Sequence, residues 1–158
     1  MTIGTRDTVP GRTKEPTVTS RLNPYISFRD TARQALEFWH SVFGGDLRIG
    51  TFGEMGASDD PAEADKVMHG QLETPNGYVL MASDTPASMP HTPGNNVSVS
   101  LSGGDGDDLR RFFAGLSEGG RVLEPLTKAP WGDEFGMVTD RFGITWLVNI
   151  AGGADAQG

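Results

Sequence analysis

A chain of 158 residues with 36% hydrophobic and 22% charged residues can bury one good core and has the composition of a globular protein. Its net charge of -8 and scattered Lys and Arg argue against a surface that grips nucleic-acid phosphates. No apolar run approaches the roughly 18 residues a membrane span needs, and the absence of cysteine excludes disulfides, thiolate metal ligands and a thiol nucleophile.

The opening residues 1–20 are rich in Thr, Pro and charge, show no hydrophobic period and read as a flexible tail. They lack the apolar segment of a signal peptide, which together with the missing cysteine fits the cytoplasm. "NPYISF" then reads as a strand. A helix follows, with Thr31 and Gln34 as a capping box and Asp30 as an alternative cap. Its apolar face is Ala35, Leu36, Trp39, Val42 and Phe43, and Gly44 and Gly45 end it. "DLRIGTF" is strand-like. Gly53 to Asp65 is an acidic, Gly-rich loop that reads as a flap rather than a docking segment. "KVMHGQLE" and "YVLMAS" are strands joined by "TPNG", whose Asn-Gly is a hairpin signal.

Three prolines in "DTPASMPHTPG" mark a linker, after which the order restarts. "NNVSVSL" is a strand. "DGDDLRRFFAGLSEGG" is an acid-capped helix with Leu109, Phe112, Phe113 and Leu116 inward. "RVLEPL" is a strand that Pro125 places at an edge. "EFGMVTDRFGITWLVNI" closes the chain as a second hairpin. Gly70 and Gly136 stand 66 residues apart, as do Gly77 and Gly143. The hairpin recurs because a whole βαβββ unit recurs, over residues 21–84 and 95–151. The expected fold is α+β: one domain over 21–152, in which two modules form a cupped mixed sheet with helices on the convex side. Residues 153–158 are a second tail.

A paired βαβββ module is similar to the vicinal oxygen chelate superfamily of glyoxalases, bleomycin-resistance proteins and dioxygenases. "PYISFRDTARQALEFWHSVFGGDL", "MHGQLETPNGYVLMASDTP" and "WGDEFGMVTDRFGITWLVNI" resemble its PhnB-like branch over most of Asn23 to Ile150. The resemblance implies a homodimer. It also implies where metal-binding members carry His and Glu ligands, on the first and last strands of each unit. By pattern those positions are Asn23, Met81, Asn96 and Leu147. Two amides, a thioether and an isobutyl group are a poor set for a divalent cation, so no metal is expected. No Gly-rich strand-to-helix loop is present to cradle a nucleotide-like cofactor, and no cofactor is expected.

Strand alternation then lines the cup. Asn23, Tyr25 and Ser27 point in, as do Asn96, Ser98 and Ser100. Pro24, Ile26 and Phe28, and Val97, Val99 and Leu101, go to the core. Val79, Met81 and Ser83, with Thr145, Leu147 and Asn149, also face in. The resemblance adds His69, Gln71 and Glu73, and Phe135, Met137 and Thr139. This mixed lining suits a small organic ligand, or a pocket filled by its own side chains. The negative charge favours cationic or neutral ligands. Of the three histidines, His40 reads as a rim residue and His91 as solvated, which leaves His69 as the candidate acid–base group. Trp146 reads as core. Trp131 could cap the pocket or pack on a dimer partner. Glu134 could serve as a base or be a solvated loop acid, and Asp140 shapes its turn. Two kinds of function stay open. One is a metal-free module that binds a small molecule. The other is an enzyme, either a metal-dependent isomerase, lyase or dioxygenase or a metal-free site on His69 with Gln71 or Glu73.

Overall fold

The repeat is visible in the computed structural model, which describes residues 19–152. The first unit runs β1 (Tyr25–Phe28), α1 (Ala32–Phe43), β2 (Asp46–Thr51), β3 (Val67–Glu73) and β4 (Val79–Asp84). The second runs β5 (Val99–Gly103), α2 (Gly106–Ser117), β6 (Arg121–Lys128), β7 (Glu134–Thr139) and β8 (Thr145–Ile150). Each unit makes its own four-stranded sheet, in the orders β1-β4-β3-β2 and β5-β8-β7-β6. In each, the first strand runs parallel to the last and the remaining pairs are antiparallel. The α+β pair of βαβββ modules is therefore present, with a helix on one face of each sheet. The tails expected at 1–20 and 153–158 lie outside the described residues, except for residues 19 and 20.

The two repeated glycine pairs have separate physical causes. Gly70 and Gly136 sit where a helix presses on its sheet. A Cβ at Gly70 would lie 2.2 Å from Leu36 Cδ1, and one at Gly136 would lie 2.9 Å from Phe113 Cε1. Gly77 and Gly143 instead supply positive φ, at 93° and 88°, in the two hairpin turns. Their amides close the turns onto Thr74 O and Asp140 O, at 3.0 and 2.9 Å. Asn76 keeps a negative φ, so "TPNG" is not the two-residue hairpin turn in which both central residues are left-handed. Thr74 and Tyr78 pair across its base.

The helix caps differ from the sequence reading. Thr31 occupies the N-cap of α1 but makes no side-chain cap bond. Asp84 takes that role from the end of β4, where the register places it beside Phe28. Its Oδ1 accepts the Ala32 amide at 2.9 Å, and its Oδ2 accepts the Val67 amide at 2.9 Å. The acids at the start of α2 do not cap either. Asp105 makes no side-chain cap bond, while Asp107 and Asp108 pair with Arg110 and Arg111. Another difference concerns Val97, read as core but 77% exposed. The ladder with β8 begins only at Val99, so Val97 lies outside it. Pro125 does lie in an edge strand, within the register shift between Glu124 and Thr127.

The modules meet through α1, α2 and an aromatic cluster. Trp39 of α1 and Trp146 of β8 are both fully buried, with ring centroids 6.1 Å apart. Phe43 packs on Phe112 at 4.8 Å and on Trp146 at 5.6 Å. Both indole N–H groups donate to one atom, Asp140 Oδ2, at 2.9 Å each. Asp140 Oδ1 accepts the amides of Phe142 and Ile144 at 2.8 and 3.1 Å. The acid shapes its turn, as read from the sequence, and it also joins the two modules at a site only 3% exposed.

Two stability predictions follow from this packing. Asp140→Asn would put an amide NH2 against either the two indole donors or the two turn amides, and should cost about 3 kcal/mol, since each buried group left unpaired costs about 1–3 kcal/mol. Urea unfolding measures it, and a loss below about 1 kcal/mol would show that the carboxylate is not the tie described. Gly70→Ala should cost about 1–3 kcal/mol by overpacking against Leu36. Trimming that neighbour in the double variant Gly70→Ala, Leu36→Val should recover part of the loss, and strictly additive losses would contradict the contact.

Candidate functional site

With the helices covering one face of each sheet, the opposite faces carry the half-buried residues. On the first sheet one row reads Tyr25, Met81, Gln71, Arg48 across β1, β4, β3 and β2. On the second, Ser100, Leu147, Met137 and Glu124 form the corresponding row across β5, β8, β7 and β6. A neighbouring row there reads Ser102, Asn149, Phe135, Thr127. Alternation along the strands thus put Tyr25, Gln71, Met81, Phe135, Met137 and Leu147 on the faces away from the helices, as their partial exposure agrees.

The first face holds a chain of polar contacts. The Tyr25 hydroxyl lies 3.4 Å from His69 Nδ1, and the two rings are 5.7 Å apart. His69 Nε2 lies 3.4 Å from Gln71 Oε1, and Gln71 Nε2 donates to Glu73 Oε2 at 2.6 Å. His69, Gln71 and Glu73 share a face because they alternate along β3. Tyr25 arrives from the other side of β4, which lies between β1 and β3. The acidic loop reaches this face too. Its Met55 lies over Gly50, where a Cβ would be 2.7 Å from the sulfur, and Gly50 is the register partner of His69. The loop is held at its base by Phe52 N to Lys66 O at 3.0 Å and Gly53 N to Ala64 O at 2.9 Å.

The second face is more apolar. Phe135, Met137 and Leu147 are half-buried there, and Trp131, 61% exposed, packs edge-on against Phe135 at 5.9 Å. Asn149 donates to Asp133 at 2.9 Å. Three candidates lie outside the strands. Asn23 precedes β1 and lines a cleft of about 340 Å³ between the modules, together with Tyr78, Ser100, Leu101 and Trp146. Burial pushes the Tyr78 phenol above its ordinary value, and the charge of Asp105 adds to the effect. Asn96 and Ser98 precede β5 and are exposed. Among the described residues no hydrogen bond joins the candidates of the first sheet to those of the second.

A larger cavity of about 630 Å³ lies away from both rows, at the start of α2. Glu134 lines it and is a poor base. Two hydrogen bonds from Arg110, at 2.7 and 3.3 Å, hold its carboxyl below the ordinary carboxylate range. His40 contacts the Gly45 carbonyl at 2.9 Å near the end of α1, well removed in the chain from the His69 contacts.

The chemistry of the donors can be tested against a metal. Met81 and Leu147 are flanked in register by Tyr25 and Gln71, and by Ser100 and Met137. Neither supplies an oxygen or nitrogen donor, and a hard divalent cation does not fit them. Among the described residues, no three of His, Cys, Asp and Glu converge as a metal site requires.

Comparison with known proteins agrees with the architecture. The family model described as the glyoxalase/bleomycin resistance protein/dioxygenase superfamily matches residues 21–148. The structure of protein PA1353 from Pseudomonas aeruginosa is similar, with 36% identity and a TM-score of 0.70, over 84% of this chain and 98% of that one. A PhnB protein from Bacillus cereus, a putative 3-demethylubiquinone-9 3-methyltransferase, shares the fold at 20% identity and a TM-score of 0.65, over 84% of this chain and 100% of that one. Protein YjdN from Escherichia coli is 25% identical over 140 residues, which is 82% of this chain and 94% of the relative. The chain belongs to the glyoxalase/bleomycin resistance protein/dioxygenase superfamily, and PhnB-like proteins are among its structural neighbours.

Proposed function

We propose that the protein binds a small organic molecule, without a metal, on the sheet faces that the helices leave uncovered, and that it works as a homodimer. The observation that carries this reading is the pair of rows centred on the half-buried Met81 and Leu147. They stand where metal-binding relatives are expected to place ligands, yet they offer apolar contact flanked by hydrogen-bonding groups. Such a mixture suits an organic ligand with one polar end. The apolar group of Phe135, Met137, Leu147 and the exposed Trp131 supports the homodimer, since a second copy would remove it from water. No described helix is long and apolar enough to cross a membrane. A chain without cysteine is at home in a reducing compartment, and the cytoplasm is part of the proposal.

A second reading has its own support. The Tyr25–His69–Gln71–Glu73 contacts could serve metal-free acid–base chemistry, with His69 exchanging a proton with a bound substrate. His69→Ala separates the two. Under the binding reading it weakens a ligand modestly, whereas under the catalytic reading it abolishes turnover and spares affinity.

Native mass spectrometry of untagged protein purified without chelators tests the main proposal. A dimer free of metal is expected, with any retained organic mass naming the ligand class. One metal per subunit would overturn the reading and move the function to metal-assisted chemistry.

A further inference from the structure

We infer that the hydrogen-bond chain on the first sheet runs in one direction and makes the site selective for a ligand whose polar end is a hydrogen-bond donor, an amine above all. The inference rests on the reading that this face binds a small organic molecule, and it adds the chemical class.

The direction follows from the far end. The Glu73 carboxylate only accepts hydrogen bonds. Gln71 must therefore turn its NH2 toward Glu73, at 2.6 Å, which leaves its carbonyl oxygen facing His69. A carbonyl oxygen cannot donate, so His69 Nε2 carries the proton. The neutral ring then has its lone pair on Nδ1. Tyr25 is the group beside Nδ1, and its hydroxyl donates there. A phenol has one proton, and this one is committed. Toward a ligand, Tyr25 offers only lone pairs.

Tyr25 is 50% exposed, so its oxygen can be reached. An ammonium, hydroxyl or amide N–H would complete the chain, and the ammonium most strongly because its hydrogen bond is charge-assisted. A carboxylate or phosphate would meet another set of lone pairs. The net charge of -8 acts in the same sense at longer range. Met81, the register partner of both Tyr25 and Gln71, provides apolar contact next to the phenol. The one cation in the row, Arg48, is paired with Asp46 at 3.8 Å on the outer strand. An amine on an apolar body fits this arrangement.

Two measurements decide it. Long-range ¹H–¹⁵N spectra, with His69 assigned through His69→Gln, should show the neutral ring protonated on Nε2. A ring protonated on Nδ1 would reverse the chain and overturn the inference without touching the binding reading. The second uses 4-phenylbutylamine, 4-phenylbutanol and 4-phenylbutanoate, titrated near neutral pH and followed by protein fluorescence. The amine should bind about tenfold more tightly than the carboxylate, the scale of one charge-assisted hydrogen bond. Tyr25→Phe should remove most of that preference and weaken the alcohol less than the amine, since the alcohol loses only a neutral hydrogen bond. Equal or tighter binding of the carboxylate would overturn the inference alone and would point to Arg48. Failure of all three probes to bind would overturn the binding reading and this inference together.

Discussion

One buried carboxylate holds the two halves of this protein in register. Asp140 accepts four hydrogen bonds, two from the amides of its own turn and two from indoles. Trp39 comes from the first module and Trp146 from the second, so their common acceptor fixes α1 against β8. A buried carboxylate is costly unless it is fully hydrogen-bonded, and here donors from three directions meet that need. The arrangement also has one polarity. Only an acceptor can sit between two indole N–H groups, and neither ring can turn away without leaving a buried donor unpaired.

That tie has consequences for the rest of the fold. It seats the helices between the modules, where Gly115 of α2 leaves room for Val42 of α1. Gly70 and Gly136 let each helix approach its own sheet closely. The helices therefore take one face of each sheet and leave the other uncovered by them. Asp84 works similarly on a smaller scale. It joins the start of α1 to the start of β3, so the strand carrying His69 is anchored at one end by the acid that caps the helix.

The repeat was legible because it is local. Glycines 66 residues apart and alternating strands need no tertiary information. The same holds for His69, Gln71 and Glu73, whose spacing places them on one face of β3. What stayed hidden depends on distant partners. Asp140 could be read as a turn residue, but its contact with Trp39 spans 101 positions. Thr31 had the right neighbours for a capping box and lost the role to Asp84, which is 52 positions from the amide it caps. Val97 alternated correctly and still ended in solvent, because periodicity cannot say where a partner strand begins. The Tyr25 contact with His69 was likewise invisible, since it depends on β1 lying beside β4 rather than β3.

The places where the two modules differ carry the functional argument. The duplicated frame is kept at the glycines and in the strand order, where packing demands it. The exposed faces have diverged. His69, Gln71 and Glu73 correspond by the repeat to Phe135, Met137 and Thr139. One face carries a line of polar contacts, and the other an apolar group of Phe135, Met137 and Leu147 bordered by Trp131 among polar neighbours. Within one chain the substantial contact between modules runs through the helices, on the sides of the sheets opposite to these faces. The face proposed for the ligand and the apolar residues proposed for the dimer contact are therefore both left open by the packing within one chain.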